Sequence, residues 1–567
     1  MNILPESARA SRWVAFALFV LTTAGLVKLY TENNDFPDYY HMDEPRKVRQ
    51  LERDERDFNH PPLLLDTTRA ALKIVRNVTK TKADRQRYAV VGRTVSAIFF
   101  ALAIATTCVV VAWRFGWPIG LGFAIFCYAD VSIYQFAHYL KEDGALVMGF
   151  GVLLLAIHLF DQSRSRRAAI GLGAALALAC SGKYIGILML PVALALVAWR
   201  LWKPGSLPAS VAHPFLEGQA KWKRVVSWLR GTGTLGATLG LITFVTLVGI
   251  VLLNLRLLSQ LPVFLNSFSN EWSGITAGQK GVVRISWDKT WYLQLLNVGF
   301  PVWFHASCLF FAALTLFVRR GRAPLADLFA VLFGLLYLAA ISSSPKTADR
   351  YNLPTFFAYS YCAAGGFAFV FGHIAARLKM PWTWLPWAAA LFVFVQSAVH
   401  RWNIPGFGTA AMRDAFERDS YLIMEDWILK NLDPASTLFL QDKNTRAYMI
   451  DPTQTRFRDM KPRIPHKVLT DETLIKSGSL DAARERGVTH VVVAYIWYKR
   501  FLETQVRFST EAAEADFMSQ AGFYRQMVKE GKCVLELKPD IMAAPPGLEL
   551  WDIRPQAQAV PQPDSSQ

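Results

Sequence analysis

Two acidic pairs, Asp43-Glu44 and Glu142-Asp143, stand out in a chain written largely in Leu, Ala, Val and Phe, and both sit among cations. The first opens the stretch D-E-P-R-K with Arg46 and Lys47, and the second follows Lys141 in K-E-D-G. Lys183, Lys280, Arg284, Lys346 and Arg350 add further positive charge at other loops. A carboxylate can accept the proton of an attacking hydroxyl, and cations can neutralise a phosphate. Carboxylates converging with Lys and Arg at a membrane surface are what an anionic lipid substrate requires. His41, His60 and His138 fall on the same side of the chain as threaded below, so a metal shared among them is a second use of these residue types. The string R-Q-L-E-R-D-E-R-D (49–57) reads differently, as a solvated connector laced by ion pairs four residues apart.

The elements that must position these residues are membrane helices. Hydrophobic residues make up 53% of the 567 residues and charged ones only 19%, with 18 Trp. Mean hydropathy is +0.23. Apolar runs of about 20 residues recur from Trp13 to about His400, each long enough to cross a bilayer. The first lacks a small-residue cleavage pattern and reads as a retained span. The net charge of +17 fits basic cytoplasmic loops and a site for anionic lipid. It does not fit nucleic acid, because the basic residues are scattered among spans and no recognition motif accompanies them. Five of the six cysteines lie inside apolar runs without ligand or disulfide spacing, which argues for packing.

Basic loops at 161–169, 202–231 and 319–322 place the cytoplasmic side, and the N-terminus with it. The expected architecture is a polytopic α-helical membrane protein of about eleven spans: 13–30, 90–112, 117–137, 144–160, 168–181, 184–201, 232–256, 296–318, 323–342, 352–376 and 383–400. The segment 168–201 is read as a hairpin turning at Ser181-Gly182-Lys183-Tyr184. Residues 1–400 then form the membrane module and 401–554 a soluble α/β domain on the outer face, with strands expected at 437–442, 490–495 and 533–539. The Pro-, Gln- and Ser-rich tail 555–567 is expected to be disordered. The first outer loop (31–89) carries an amphipathic helix over about 67–88, with Ala71, Leu72, Ile74, Val75 and Val78 among basic residues.

In this order the motifs resemble the GT-C superfamily of integral-membrane glycosyltransferases, and most nearly the protein O-mannosyltransferases and the aminoarabinose transferases that modify lipid A. D-E-P-R-K-V (43–48) is similar to the family's D-E-x-R signature, and N-H-P-P-L-L-L (59–65) to its P-P-L element. K-E-D-G (141–144), S-G-K-Y (181–184) and D-R-Y-N-L-P (349–354) resemble three later elements. Relatives often carry Glu and Lys where this chain has Asn59 and His60, and Gln279 stands where a G-H-x-G element has His.

The resemblance implies transfer of a sugar, with inversion, from a polyprenyl-phosphate-linked donor to an acceptor protein, lipid or polysaccharide. It implies a place in the cytoplasmic membrane of a bacterium, with the site facing the periplasm among membrane lipids. Asp43 is then the general base, with Glu44 as alternate or orienting neighbour. Arg46, His60, Lys183, Lys346 and Arg350 would hold the donor phosphate, and Glu142, Asp143, Trp272 and Tyr351 the sugar or acceptor. A divalent metal is compatible with the pattern but not predicted by it. The competing reading is a transporter or flippase of a lipid-linked sugar, which would show internal hydropathy symmetry and charges at the bilayer midplane. Here the charges cluster at the outer rim.

Overall fold

The structure is a computed structural model. It describes residues 11–36, 43–80, 84–202, 221–277, 282–284, 300–318, 323–344, 348–378, 382–404, 408–417, 420–440, 464–469, 473–502, 506–508, 510–537 and 547–555. The first apolar run forms α1 (Arg12–Thr31). The loop after it holds α2 (Glu44–Arg53) and α3 (Leu63–Thr79). A helix expected at about 67–88 therefore starts earlier and stops at Thr79, where Lys80 turns into the left-handed region (φ 56°). Asp84 then caps a new helix by accepting from the Arg87 N–H at 2.8 Å. That helix, α4 (Arg85–Phe115), is the longest buried span.

Next come α5 (Trp117–Tyr128), α6 (Val131–Ala137), α7 (Asp143–Ser163), α8 (Arg166–Gly182) and α9 (Met189–Trp202). After them run α10 (Lys221–Leu253), α11 (Leu255–Ser259) and α12 (Leu261–Ala277). Helices at Val302–Ala313, Leu325–Ser343, Leu353–Arg377 and Leu385–Trp402 complete the apolar part. Among the described residues eight helices are long and apolar enough to cross a membrane, or nine if α5 and α6 count as one span. The chain is thus a multi-pass membrane protein.

Three of the expected spans are bent or short. The segment 117–137 bends by 65° between α5 and α6. At the bend Asp130 leaves the helix, accepts from the Ile133 N–H at 2.8 Å and pairs with the distant Arg401. The segment 168–181 is a 17-residue helix, α8. The segment at 302–318 is apolar but shorter than a full span. The hairpin of α8 and α9 is fixed at both ends. Lys183 pairs with Asp143 at 2.7 Å at one end, and Arg200 with Asp161 at 3.1 Å at the other.

Small residues let α7 and α8 touch backbone to backbone. A Cβ on Gly149 would lie 2.5 Å from the Ala179 Cα, and one on Gly182 would lie 2.6 Å from the Ala145 carbonyl oxygen. This close approach seats Lys183 beside Asp143.

Beyond Trp402, helices at Thr409–Glu417 and Ser420–Asn431 lead into a small α/β domain. Its strands are β2 (Thr437–Leu440), β3 (Lys467–Leu469), β4 (His490–Ala494), β6 (Lys532–Leu537) and β7 (Leu548–Asp552), in the order β3-β2-β4-β7-β6. β2 is parallel to β3 and β4, while β7 is antiparallel to β4 and β6. Leu438, Leu440, Val492 and Leu550 belong to the same buried cluster as Met424 and Ile428 of the Ser420–Asn431 helix. Phe439, Val491 and Val493 face Phe517, Ala521 and Tyr524 of the Glu511–Glu530 helix. A short strand of the long loop, β1 (Val282–Arg284), pairs antiparallel with β5 (Val506–Phe508).

Gly149→Val should drive a side chain into α8 and cost about 1–3 kcal/mol, read as a lowered Tm of the detergent-purified protein. Gly171→Val, with nothing within 4 Å of its Cβ position, should melt like the parent. Equal melting of the two variants would refute the close-packing account.

Candidate active site

The first turn of α2 brings charge to the end of the bundle where α7 begins and α8 ends. Pro45 sits in that turn, where a missing N–H costs nothing, so the helix starts at Glu44. Glu44 is fully buried. Its Oε1 and Oε2 accept from Nε and Nη2 of Arg93, each at 3.0 Å, and Oε1 also accepts from the Leu140 N–H at 2.9 Å. The Arg93 guanidinium lies 3.6 Å over the Phe36 ring and donates to the Phe36 carbonyl at 2.8 Å. Glu44 is therefore tied on both oxygens.

Asp43 is different, with its side chain 32% exposed and its partner Lys141 almost wholly buried. Of the first acidic pair, Asp43 is the carboxylate that reaches the open side. One turn along α2, Lys47 pairs with Glu142, and both are buried. Burial pulls the Lys47 ammonium down to about 7, against the carboxylates of Asp57 and Asp143, which favour its charge. Asp143 accepts from Lys183 at 2.7 Å and has the Arg350 guanidinium 3.8 Å away. The Lys183 ammonium lies 4.8 Å and the Arg350 guanidinium 5.3 Å from the centre of the Tyr351 ring. His60 comes within 3.9 Å of Glu142.

Three polar atoms in this cluster make no hydrogen bond although they are buried: Glu142 Oε2, Asp143 Oδ2 and Arg350 Nε. Unmade hydrogen bonds of this kind are costly in a finished core and ordinary in a site that receives a ligand.

The structure thus gathers Asp43, Glu142, Asp143, His60, Lys183, Arg350 and Tyr351 in one cluster. Arg46, half exposed, pairs with Asp57. Trp272 lies in α12, and its side chain is outside the description, as is Lys346. Asp130 is not part of this cluster; it is committed to Arg401, whose guanidinium lies 4.9 Å from the ring centres of Phe126 and Phe300.

The shared-histidine metal is not assembled by what can be seen. His41 lies outside the described residues. His138 is buried between the carbonyls of Tyr134 (2.7 Å) and Glu32 (2.9 Å), with burial holding its pKa down to about 4. Among the described residues no three His, Cys, Asp or Glu side chains are grouped to hold a metal ion. Two residues of the cluster's support were not assigned from the sequence. Arg93 carries a signal, being a charge inside an apolar run that must find a partner. Lys47 carries only its spacing of one turn from Asp43.

The 49–57 string is less solvated than its composition suggests. Arg56 is buried and donates to Asp66 at 2.7 Å, and Gln50 donates to Asp57 at 2.6 Å. Over this segment lie α11 and α12. Arg256 pairs with Asp54 at 2.6 Å, Ser267 donates to the Asp57 carbonyl at 2.5 Å, and Tyr184 donates to the Phe58 carbonyl at 2.8 Å.

No protein-family model matches this sequence, and no curated protein sequence matches it. Solved structures do. The chain is similar to ArnT from Cupriavidus metallidurans bound to undecaprenyl phosphate, at 15% identity over 94% of this chain and 97% of that one, with a TM-score of 0.49. It is similar to the archaeal oligosaccharyltransferase AglB from Archaeoglobus fulgidus, in complex with an inhibitory peptide and a dolichol-phosphate. There the identity is 11% over 97% of this chain and 75% of that one, with a TM-score of 0.49. A weaker likeness, at 16% identity over 48% of this chain and 36% of that one and a TM-score of 0.30, is to the S. cerevisiae protein O-mannosyltransferase Pmt1–Pmt2 complex bound to the sugar donor.

Proposed function

We propose that the protein is an inverting glycosyltransferase. It moves a sugar from a polyprenyl-phosphate-linked donor to an acceptor at the outer face of a bacterial cytoplasmic membrane. The observation that carries this reading is a half-open carboxylate, Asp43, beside a buried cation cluster with unfilled hydrogen-bonding atoms at one end of a membrane helix bundle. The motif resemblance supports it independently.

Asp43 accepts the proton of an acceptor hydroxyl as that oxygen attacks the anomeric carbon. The bond from that carbon to the donor phosphate oxygen breaks, and the phosphate leaves with the electron pair. A single displacement inverts the centre, and its oxocarbenium-like transition state resembles that of inverting glycoside hydrolysis. The leaving phosphate is already an anion and needs no proton, only positive charge. Lys183 and Arg350 supply that charge, with His60, Arg46 and Lys346 as further donor-phosphate contacts. The open oxygens of Glu142 and Asp143 accept from sugar or acceptor hydroxyls, and Tyr351 and Trp272 stack on a ring. Lys141 holds Asp43 in place through their ion pair. Glu44 anchors α2 through Arg93 and takes no proton.

In nanodiscs supplied with polyprenyl-phosphate sugars, the wild type should release polyprenyl phosphate and glycosylated acceptor. Asp43→Asn should cut that rate about 100- to 10,000-fold, with a smaller loss of Tm than Glu44→Gln because Asp43 is partly exposed. Glu44→Gln should act on stability instead, since removing one partner of a buried pair costs about 3–5 kcal/mol. A fully active Asp43→Asn protein would remove Asp43 as base. A wild type that moves intact lipid-linked sugar between leaflets, and consumes none, would establish the transporter.

Lys183→Met together with Arg350→Met should weaken binding of polyprenyl phosphate at least tenfold, measured by quenching of tryptophan fluorescence in the same nanodiscs. Unchanged binding would move the phosphate site elsewhere.

A further inference from the structure

The first turn of α2 meets the segment 140–142 through crossed charges. Along α2 the order is acid then base, Asp43 then Lys47. Along the facing segment it is base then acid, Lys141 then Glu142. Asp43 pairs with Lys141 and Lys47 with Glu142. Between them Glu44 takes Arg93 and the Leu140 N–H.

A slip of α2 by one turn, about 5.4 Å, would set Asp43 against Glu142, which is acid on acid. The crossed order therefore admits one register, as a buried polar pair fixes register elsewhere. Lys47 is not open to a ligand phosphate. It is 4% exposed, its ammonium is taken by Glu142, and the charges around it are Asp57, Asp143, Lys183 and Arg46.

We infer that Lys47 is a positioning residue of the proposed transferase: its pair with Glu142 holds α2 in the register that presents Asp43 and aims the open Glu142 oxygen into the site. This rests on the proposed function for its catalytic consequence, and on the geometry alone for the docking of α2. Lys47 touches neither donor nor acceptor in this account. Its loss should lower the rate of transfer and leave donor binding alone.

The test uses full-length protein in nanodiscs with three variants: Lys47→Met, Lys47→Arg, and the exchange Lys47→Glu with Glu142→Lys. Lys47→Met should lower kcat about 10- to 100-fold with KM for the polyprenyl-phosphate sugar within threefold. Amide exchange over 44–53 should quicken at least tenfold, while exchange over 490–494 in the soluble domain stays as in the parent. Lys47→Arg should restore most of kcat, and the charge exchange should restore slow amide exchange in α2. A tenfold rise in KM with kcat retained would overturn the inference by making Lys47 a donor contact. Unchanged exchange over 44–53 in Lys47→Met would overturn it whatever the activity. Slow exchange that depends on Lys47, in a protein that turns over no donor, would uphold the docking and sink the proposed function instead.

Discussion

A charge removed from water near a bilayer must be met by an opposite charge, and this constraint shapes the protein more than any other. A buried ion left alone costs several kcal/mol, so the chain folds where partners from distant segments can meet. Glu44 finds Arg93 on α4, Asp143 finds Lys183 at the end of α8, and Asp130 finds Arg401. At the opposite end Asp161 meets Arg200, and Arg114 meets Asp327. Hydrophobic burial gives little direction to helices that sit in lipid, since lipid tails are as apolar as Leu. These pairs, with small residues such as Gly149 and Gly182, supply the direction.

The two ends use the same pairing to different effect. At the Asp161 end the carboxylates are consumed: Asp161 accepts from Arg200 and from the Leu325 N–H, and Asp327 accepts from Arg114 and Tyr361. At the Asp143 end each carboxylate of Glu142-Asp143 keeps one oxygen without a hydrogen bond, Glu142 Oε2 lying 3.9 Å from His60 and Asp143 Oδ2 3.8 Å from Arg350. In the proposed transferase those two oxygens are the ones that substrate hydroxyls would meet.

Much of this was legible from residue order. The D-E-P-R-K, K-E-D-G, S-G-K-Y and D-R-Y-N-L-P segments read as one cluster, and their described residues do converge. The strands at 437–440, 490–494 and 532–537 lie within or beside the segments expected to form them. What stayed hidden was which of two neighbouring charges is spent on structure. Asp43 and Glu44 differ only in the direction their side chains leave the start of α2, and that depends on Arg93, about fifty residues on. The bend at Asp130 was hidden for the same reason, because Arg401 lies far along the chain. The charged string 49–57 misled because composition marks it as solvent-facing, while Arg56 is buried against Asp66. Propensity and periodicity see a helix and its near neighbours; partners across hundreds of residues lie beyond them.

The K-E-D-G segment also sets a length. Lys141, Glu142 and Asp143 follow one another, yet each binds a different partner: Asp43, Lys47 and Lys183. The residue holding the half-open carboxylate and the residue holding the buried cations are thus two positions apart. Their backbones can be separated by at most about 7 Å. In the proposed transferase the base and the phosphate-facing cations are therefore tied to one short stretch of backbone, at the point where α7 begins. The charge pairing that orders the fold also ties the two sides of the proposed chemistry to consecutive residues.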